Sequence, residues 1–358
     1  AALARRAAAG PLSRDALAGA AIGVFPRYFD PVLRRPVSAE EGLARLADWR
    51  DRWFARRGPV VAVGFARHKR DVARAYLGAA GATTTFVRHE PPDLLARAQA
   101  AGAREIVAWS DRLSREAESA ARRAGLAVTR VEDGFVRSRG LGRKTTPPAS
   151  LCLDSRGLHF DAARASDLET LLETRVFDDA DRARGAALRE KIVASGLTKY
   201  NLREAAPDLR AAAGGREIAL VMAQVPGDAS WRHGASPFTG NLDFLAAVRA
   251  ERPDAFLVFK EHPDLVAGLR PGATDAGAAR ALCDLFLTSG DSAALYRQVD
   301  ELHVMTSLSG FEALLRGVSV TCWGLPFYAG WGLTQDRVPC PRRARKLALD
   351  ELVVAALG

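Results

Sequence analysis

Several short polar segments hold the residue types that group-transfer chemistry needs. Lys260-Glu261-His262-Pro263 directly follows the apolar run Ala255–Phe259. A lysine and a histidine at the carboxyl end of a strand can hold a phosphate by charge and hydrogen bonding, and Pro263 stiffens the turn. A surface loop with a solvated lysine would read the same way. Thr306-Ser307-Leu308-Ser309-Gly310-Phe311-Glu312 follows another apolar run and opens a helix expected over Phe311–Arg316. Serine and glycine at a helix start leave free N–H groups that suit an anion, although ordinary capping uses the same residues. Glu312, in the first turn, could simply complement the helix dipole.

Asp228 stands in Gln224-Val225-Pro226-Gly227-Asp228-Ala229-Ser230, again where a strand ends. A carboxylate there can act as nucleophile, base or metal ligand, or can cap a turn. Glu132 and Asp133 close a predicted strand and are followed by Gly134 and Arg137, then by Leu141-Gly142. This suits a wall that binds sugar hydroxyls and a carboxylate, and it also suits a salt-bridged loop. Strand alternation predicts that only one of the two acids faces the site. The loop Trp323–Gly332 is aromatic and glycine-rich. It could let backbone approach a base, but packing of Trp331 into a core is the first expectation.

The elements that must position these residues alternate between short β-type runs and helices, the pattern of a mostly parallel sheet covered by helices. Strands are expected at Val60–Phe65, Thr84–Val87, Glu105–Trp109, Ala127–Asp133 and Leu151–Asp154, with a helix at Asp181–Ala194. A second series runs through Ile218–Val225, Ala255–Lys260, Leu285–Thr288, Glu301–Met305 and Val318–Trp323, with helices at Asn241–Ala250 and Leu347–Leu357. The divisions expected are a linker-like helical segment over 1–50, a Rossmann-like half over 51–206, a second over 207–340 and a C-terminal helix over 341–358. The fold class is therefore α/β, with two Rossmann-like domains facing a central cleft in the GT-B manner. No GxGxxG fingerprint follows the first strand and no Walker A motif is present, which argues against a dinucleotide dehydrogenase or a P-loop NTPase.

The bulk properties fit this reading. The 358 residues suggest two domains, and 48% hydrophobic residues can fill both cores. The net charge of +9 favours anionic partners such as nucleotides, acidic sugars or a phospholipid surface. The charge alone would also allow a nucleic-acid binder, but no basic-aromatic motif supports one, and no nucleic-acid partner is expected. Cys152, Cys283, Cys322 and Cys340 form no CxxC pair and read as free thiols of a reducing cytoplasm. No apolar run reaches the roughly 20 residues of a membrane span. The basic, alanine-rich start over 1–10 lacks a signal-peptide core. The expected location is cytoplasmic, with peripheral contact to the inner membrane left open.

Taken together, the motifs resemble the capsule Kdo-transferases of the KpsC type. The matching residues are RVEDGFVRSRGLG (Arg130–Gly142), PPASLCLDSRGLHFD (Pro147–Asp161), LTKYNL (Leu197–Leu202), KEHPD (Lys260–Asp264) and TSLSGFEALLRG through CWGLPFYAGWGLTQDR. The family usually shows KPHP where Glu261 stands here. Such proteins often carry two modules in tandem, and this chain looks like the second, with Ala20–Ala47 similar to the linker before it. The resemblance implies a retaining transferase that uses CMP-β-Kdo and a glycan or glycolipid acceptor. No DxD metal motif stands out and the single phosphate of CMP needs less charge neutralisation than a diphosphate, so no metal and no cofactor beyond that donor are expected. The resemblance also implies Asp228 as nucleophile and Glu132 for acceptor activation or sugar positioning. His262 and Lys260 would face the leaving phosphate. Ser307, Ser309 and Glu312 would bind phosphate and ribose, Arg137 would meet the Kdo carboxylate, and Gln224 would line the donor site. The alternative is a non-catalytic module that binds an anionic glycan and assists assembly.

Overall fold

The computed structural model describes residues 13–31, 34–55, 58–77, 83–141, 146–202 and 204–358. The basic start over 1–10, with residues 11 and 12, and Gly142 lie outside the described residues. The chain forms two compact units, one of 1–59 with 74–84, the other of 60–73 with 85–358. In the smaller unit, strands β1 (Tyr28–Asp30) and β2 (Arg35–Val37) pair antiparallel and precede a helix over Ala39–Ala55. Asp30 is buried there and accepts a hydrogen bond from Arg45 Nε at 3.1 Å.

The larger unit holds two sheets. The first comprises β3 (Val60–Val63), β4 (Thr84–Val87), β5 (Glu105–Trp109), β6 (Ala127–Asp133) and β7 (Leu151–Asp154). Its spatial order is β4-β3-β5-β6-β7, with β7 antiparallel to β6. The second comprises β8 (Ile218–Met222), β9 (Phe256–Lys260), β10 (Leu285–Leu287), β11 (Glu301–Val304), β12 (Ser319–Cys322) and β13 (Gln335–Asp336), in the order β10-β9-β8-β11-β12-β13. All its pairings are parallel. Renumbered from its first strand this is the 3-2-1-4-5-6 order of the dinucleotide folds. Val60–Val63, Ile218–Met222 and Phe256–Lys260 are buried at every residue. That is why they appear in sequence as unbroken apolar runs: a parallel strand covered by helices on both faces has no solvent side to make polar.

The helices Asp167–Thr174 and Asp179–Ala194 precede the division expected at 207, yet they pack with the second half. Leu172 and Phe177 share one core with Ile218, Leu302 and Leu352. The final helix Leu349–Leu357 lies against Asp179–Ala194 so closely that a Cβ on Gly185 would sit 2.0 Å from the Asp350 carbonyl oxygen. Arg189 fixes the pair by donating to Asp350 Oδ1 at 2.7 Å. All four cysteines are free, with Cys283 and Cys322 buried.

Candidate active site

In an open parallel sheet the crevice opens where crossovers leave neighbouring strands in opposite directions. In the second sheet that point lies between β8 and β11, in the first between β3 and β5. Residues just past both pairs of strand ends line one cavity of about 540 Å³: Gly64 and Ser110 from the first sheet, Gln224 and Thr306 from the second. All nine residues singled out in the sequence also line it: Glu132, Arg137, Gln224, Asp228, Lys260, His262, Ser307, Ser309 and Glu312.

Asp228 follows the turn Pro226-Gly227, where Gly227 takes φ of 68°, and it occupies the N-cap position of the helix Ala229–His233. Its side chain does not cap that helix. Instead Oδ1 accepts from Arg270 Nη2 at 2.6 Å and Oδ2 from Ser230 Oγ at 3.2 Å. Gln224, buried, donates from Nε2 to Ser230 Oγ at 2.9 Å and to Thr306 Oγ1 at 2.7 Å, and its Oε1 accepts from the Thr306 N–H at 3.2 Å. Gln224 therefore ties the ends of β8 and β11 together and reaches Asp228 through Ser230.

Lys260 ends β9 opposite Met222 of β8 and is 3% exposed. Burial lowers its pKa, while Glu204, Asp291, Glu261 and Glu312 pull it back up. Glu261 braces the turn. Its two oxygens accept from the His262 N–H at 2.7 Å and the Thr274 N–H at 2.8 Å. His262 Nδ1 accepts the Asp264 N–H at 3.1 Å. A backbone amide can only donate, so the ring proton sits on Nε2. Burial, with Lys199, Lys260 and Arg270 nearby, pushes the His262 pKa down to about 3. The histidine is thus a neutral Nε2–H donor at physiological pH, and the positive charge at this turn comes from Lys260 alone.

The helix after β11 spans Ser309–Leu314, two residues earlier than expected, with Leu308 as its N-cap. Ser307 Oγ accepts the Ser309 N–H at 3.2 Å, and Tyr328 Oη donates to the Ser307 carbonyl. Glu312 is buried. Its oxygens accept from the Lys199 N–H at 2.6 Å and Tyr296 Oη at 3.0 Å, and burial raises its pKa. Both carboxylate oxygens already hold protein donors, so Glu312 clamps the Lys199 segment to this helix.

On the first sheet, both Glu132 and Asp133 line the cavity, contrary to the alternation rule. Both acids still lie within β6, paired with Cys152 and Leu151, so the cavity reaches both faces of this strand end. The two acids differ in partners. Asp133 accepts from Lys69 Nζ at 3.2 Å and Arg137 Nε at 2.7 Å. Burial opposes its ionisation, but those cations outweigh it and hold the pKa below the usual value. Glu132 accepts the Asp133 N–H at 2.9 Å. Burial first, and the Asp133 charge second, raise its pKa. Arg137, 2% exposed, spends its guanidinium on Asp133, on Ser138 Oγ at 2.9 Å and on the Thr146 carbonyl. It shapes the wall, and an incoming carboxylate would have to compete with Asp133 for it.

Sequence reasoning missed four further residues of the cleft. Lys69 Nζ lies 3.4 Å from the Trp109 ring centroid as well as on Asp133. Asp111 accepts from Arg232 and contacts His233 Nε2 at 3.2 Å. Arg270 holds Asp228. Lys199 belongs to the Leu197–Leu202 motif, which was the one available signal. Trp331 is fully buried and donates to the Phe327 carbonyl at 2.8 Å, the structural role expected first. Among the described residues no group of three or more His, Cys, Asp or Glu side chains is gathered as a metal site.

Two mostly parallel sheets whose carboxyl ends line one cation-rich cleft define a mixed α/β protein of Rossmann-like type. The chain belongs to the family described as capsule polysaccharide biosynthesis protein, which matches residues 104–206 and 185–357. It is similar to the capsule polysaccharide modification protein LipA of Neisseria meningitidis serogroup A, 37% identical over 334 residues, covering 93% of this chain and 47% of that protein. It is also similar to the lipopolysaccharide-processing protein LpsZ of Rhizobium meliloti, 40% identical over 255 residues, covering 70% of this chain and 58% of that one. The chain thus spans about half the length of the curated relatives it matches. Among solved structures it is similar to Thermosulfurimonas dismutans KpsC, β-Kdo 2,7 transferase, with TM-score 0.66 and 32% identity over 84% of this chain and 90% of that one. The β-Kdo 2,4 transferase of the same KpsC gives TM-score 0.68 and 29% identity over 82% and 89%. The resemblance read from the motifs is the one these likenesses give.

Proposed function

We propose that this chain is a retaining β-Kdo transferase of GT-B architecture that moves Kdo from CMP-β-Kdo to a surface glycan or glycolipid. One half, around the first sheet, takes the acceptor, and the other, around the second, takes the CMP-sugar. Asp228 Oδ attacks the anomeric carbon, the bond to the phosphate oxygen breaks, and CMP leaves with the electron pair. The acceptor hydroxyl then attacks the same carbon and gives its proton to Glu132, and the bond to Asp228 breaks. Two inversions retain configuration. The Lys260 ammonium and the His262 Nε2–H offset charge growing on the departing phosphate. A raised pKa brings Glu132 nearer the working range of a general base. The reaction needs no metal in this reading. The enzyme works at the cytoplasmic side, against the inner membrane where a lipid-linked acceptor would lie. No helix of the described residues is long and apolar enough to cross a membrane.

The observation that carries this reading is that Asp228, Lys260 and His262 share one cavity with Glu132 of the other sheet. The test is CMP release in the presence of acceptor. Asp228→Asn is expected to lower it by at least roughly 10³-fold while the protein stays folded. Wild-type turnover by that variant would overturn the mechanism.

A further inference from the structure

The cations of the cleft divide by whether a carboxylate already holds them. Lys69 and Arg137 are on Asp133, Arg232 is on Asp111 and Arg270 is on Asp228. Arg112 is exposed at the rim. Lys199 and Lys260 remain, and among the described residues no carboxylate lies within the 4.0 Å ion-pairing distance of either Nζ.

Their surroundings differ. Lys260 has Glu204, Asp291, Glu261 and Glu312 as electrostatic neighbours. Lys199 has the Tyr200 hydroxyl, then Asp133, Asp228 and Glu132, so it stands among the acids of both sheets. Its backbone is pinned on both sides: its N–H is on Glu312 Oε1 and its carbonyl accepts the Ser138 N–H at 3.2 Å. Asn201, at φ of 52°, locks the turn by donating to the Ser138 carbonyl at 2.8 Å and accepting the Thr198 N–H at 2.9 Å. These bonds fix where the side chain starts, and its ammonium, 5.3 Å from the Tyr200 ring centroid, has no carboxylate ion-pair partner among the described residues. A cationic group so placed is preorganised for an anion that arrives with the substrate.

We infer that Lys199 receives the carboxylate of the donor sugar and so selects an acidic ulosonic sugar over a neutral one. This rests on the donor reading above. The carboxylate of such a sugar is bonded directly to the anomeric carbon. Its counter-cation must therefore stand beside the attacking Asp228 without being bound to it. Arg270 fails the second condition, and Arg137 is turned onto Asp133. Lys260, at the end of β9 and one turn from the His262 Nε2–H donor, is left for the phosphate.

The test is calorimetric binding, at one salt concentration, of CMP, CMP-Kdo and a CMP-Kdo analogue whose carboxylate is reduced to a primary alcohol. Wild type is expected to prefer CMP-Kdo over the analogue by roughly 10- to 100-fold, the range of a charge-assisted contact. Lys199→Met is expected to bind both sugars alike while keeping wild-type affinity for CMP, and Lys199→Arg to restore the preference. Retained preference in Lys199→Met overturns the assignment and leaves the donor reading intact. So does loss of CMP affinity in both variants, which would mark a purely structural lysine. Wild type that binds CMP but not CMP-Kdo preferentially removes carboxylate recognition, and wild type that binds no CMP overturns the donor reading itself.

Discussion

Asp228 Oδ1 and Arg270 Nη2 are 2.6 Å apart, so the acid that the proposed mechanism makes the nucleophile is already held by a cation of the protein itself. Arg270 lies in the loop after the short helix Pro263–Val266, beyond the Lys260–Pro263 turn. Its side chain is about one-third exposed. A pair this accessible contributes about 0–1 kcal/mol to stability. Its consequence falls instead on the acid it orients. Arg270→Gln should leave the urea midpoint nearly unchanged and lower kcat/KM by at least roughly tenfold. An unchanged kcat/KM would show that Asp228 needs no such partner.

Gln224 acts at one remove. Replaced by leucine, of similar size, it can no longer join Thr306 to Ser230, and buried polar partners lose their bonds. The expected cost is about 1–3 kcal/mol in urea unfolding. The expected kinetic mark is a lower kcat with little change in KM, because Ser230 loses its fix on Asp228. A change confined to KM would instead make Gln224 a ligand contact.

Glu132 predicts a pH dependence of defined sign. Burial raises its pKa in the folded protein above the unfolded value. The folded state therefore binds this proton more tightly, and the group destabilises the fold at pH above the folded pKa. Glu132→Gln should raise Tm relative to wild type near pH 8. The gain should shrink as pH falls through the raised pKa, where wild type is itself neutral. The acid limb of kcat/KM should lie above the ordinary carboxylate range and vanish in the variant. No limb is expected from His262, which stays neutral from pH 5 upward.

Gly310 has a steric role. A Cβ there would lie 2.2 Å from Tyr328 Oη, and Tyr328 holds the Ser307 carbonyl. Gly310→Ala is expected to cost about 1–3 kcal/mol by overpacking. It should also weaken CMP binding, because the Ser307–Ser309 turn moves with Tyr328. Thermal melts with and without CMP would separate the two effects.

How much of this was legible in the sequence follows from its physics. The ten strands of the two sheets that were expected are present, because fully buried parallel strands leave unbroken apolar runs such as Val60–Val63 and Phe256–Lys260. The cleft was legible because the polar residues after each run fall at strand ends by construction. The short pairings β1–β2 and β13 carry too little apolar patterning to be seen. The packing of Leu172, on a helix, and of Phe177, in the connection after it, on the second core was hidden, since neither an amphipathic helix nor a short connection records which sheet covers it. Pairings made across loops were equally hidden. Nothing in the spacing of residues 228 and 270, or of 133, 69 and 137, tells that one carboxylate holds Arg270 and the other both Lys69 and Arg137.

The central claim is that Asp228 bonds to the sugar. Wild-type protein mixed with CMP-Kdo without acceptor, quenched rapidly in acid and weighed intact, should gain the mass of one Kdo residue. Peptide mapping should place that mass on Asp228, and added acceptor should discharge it. Full turnover with the mass on another residue, or with none at any quench time, would contradict the account.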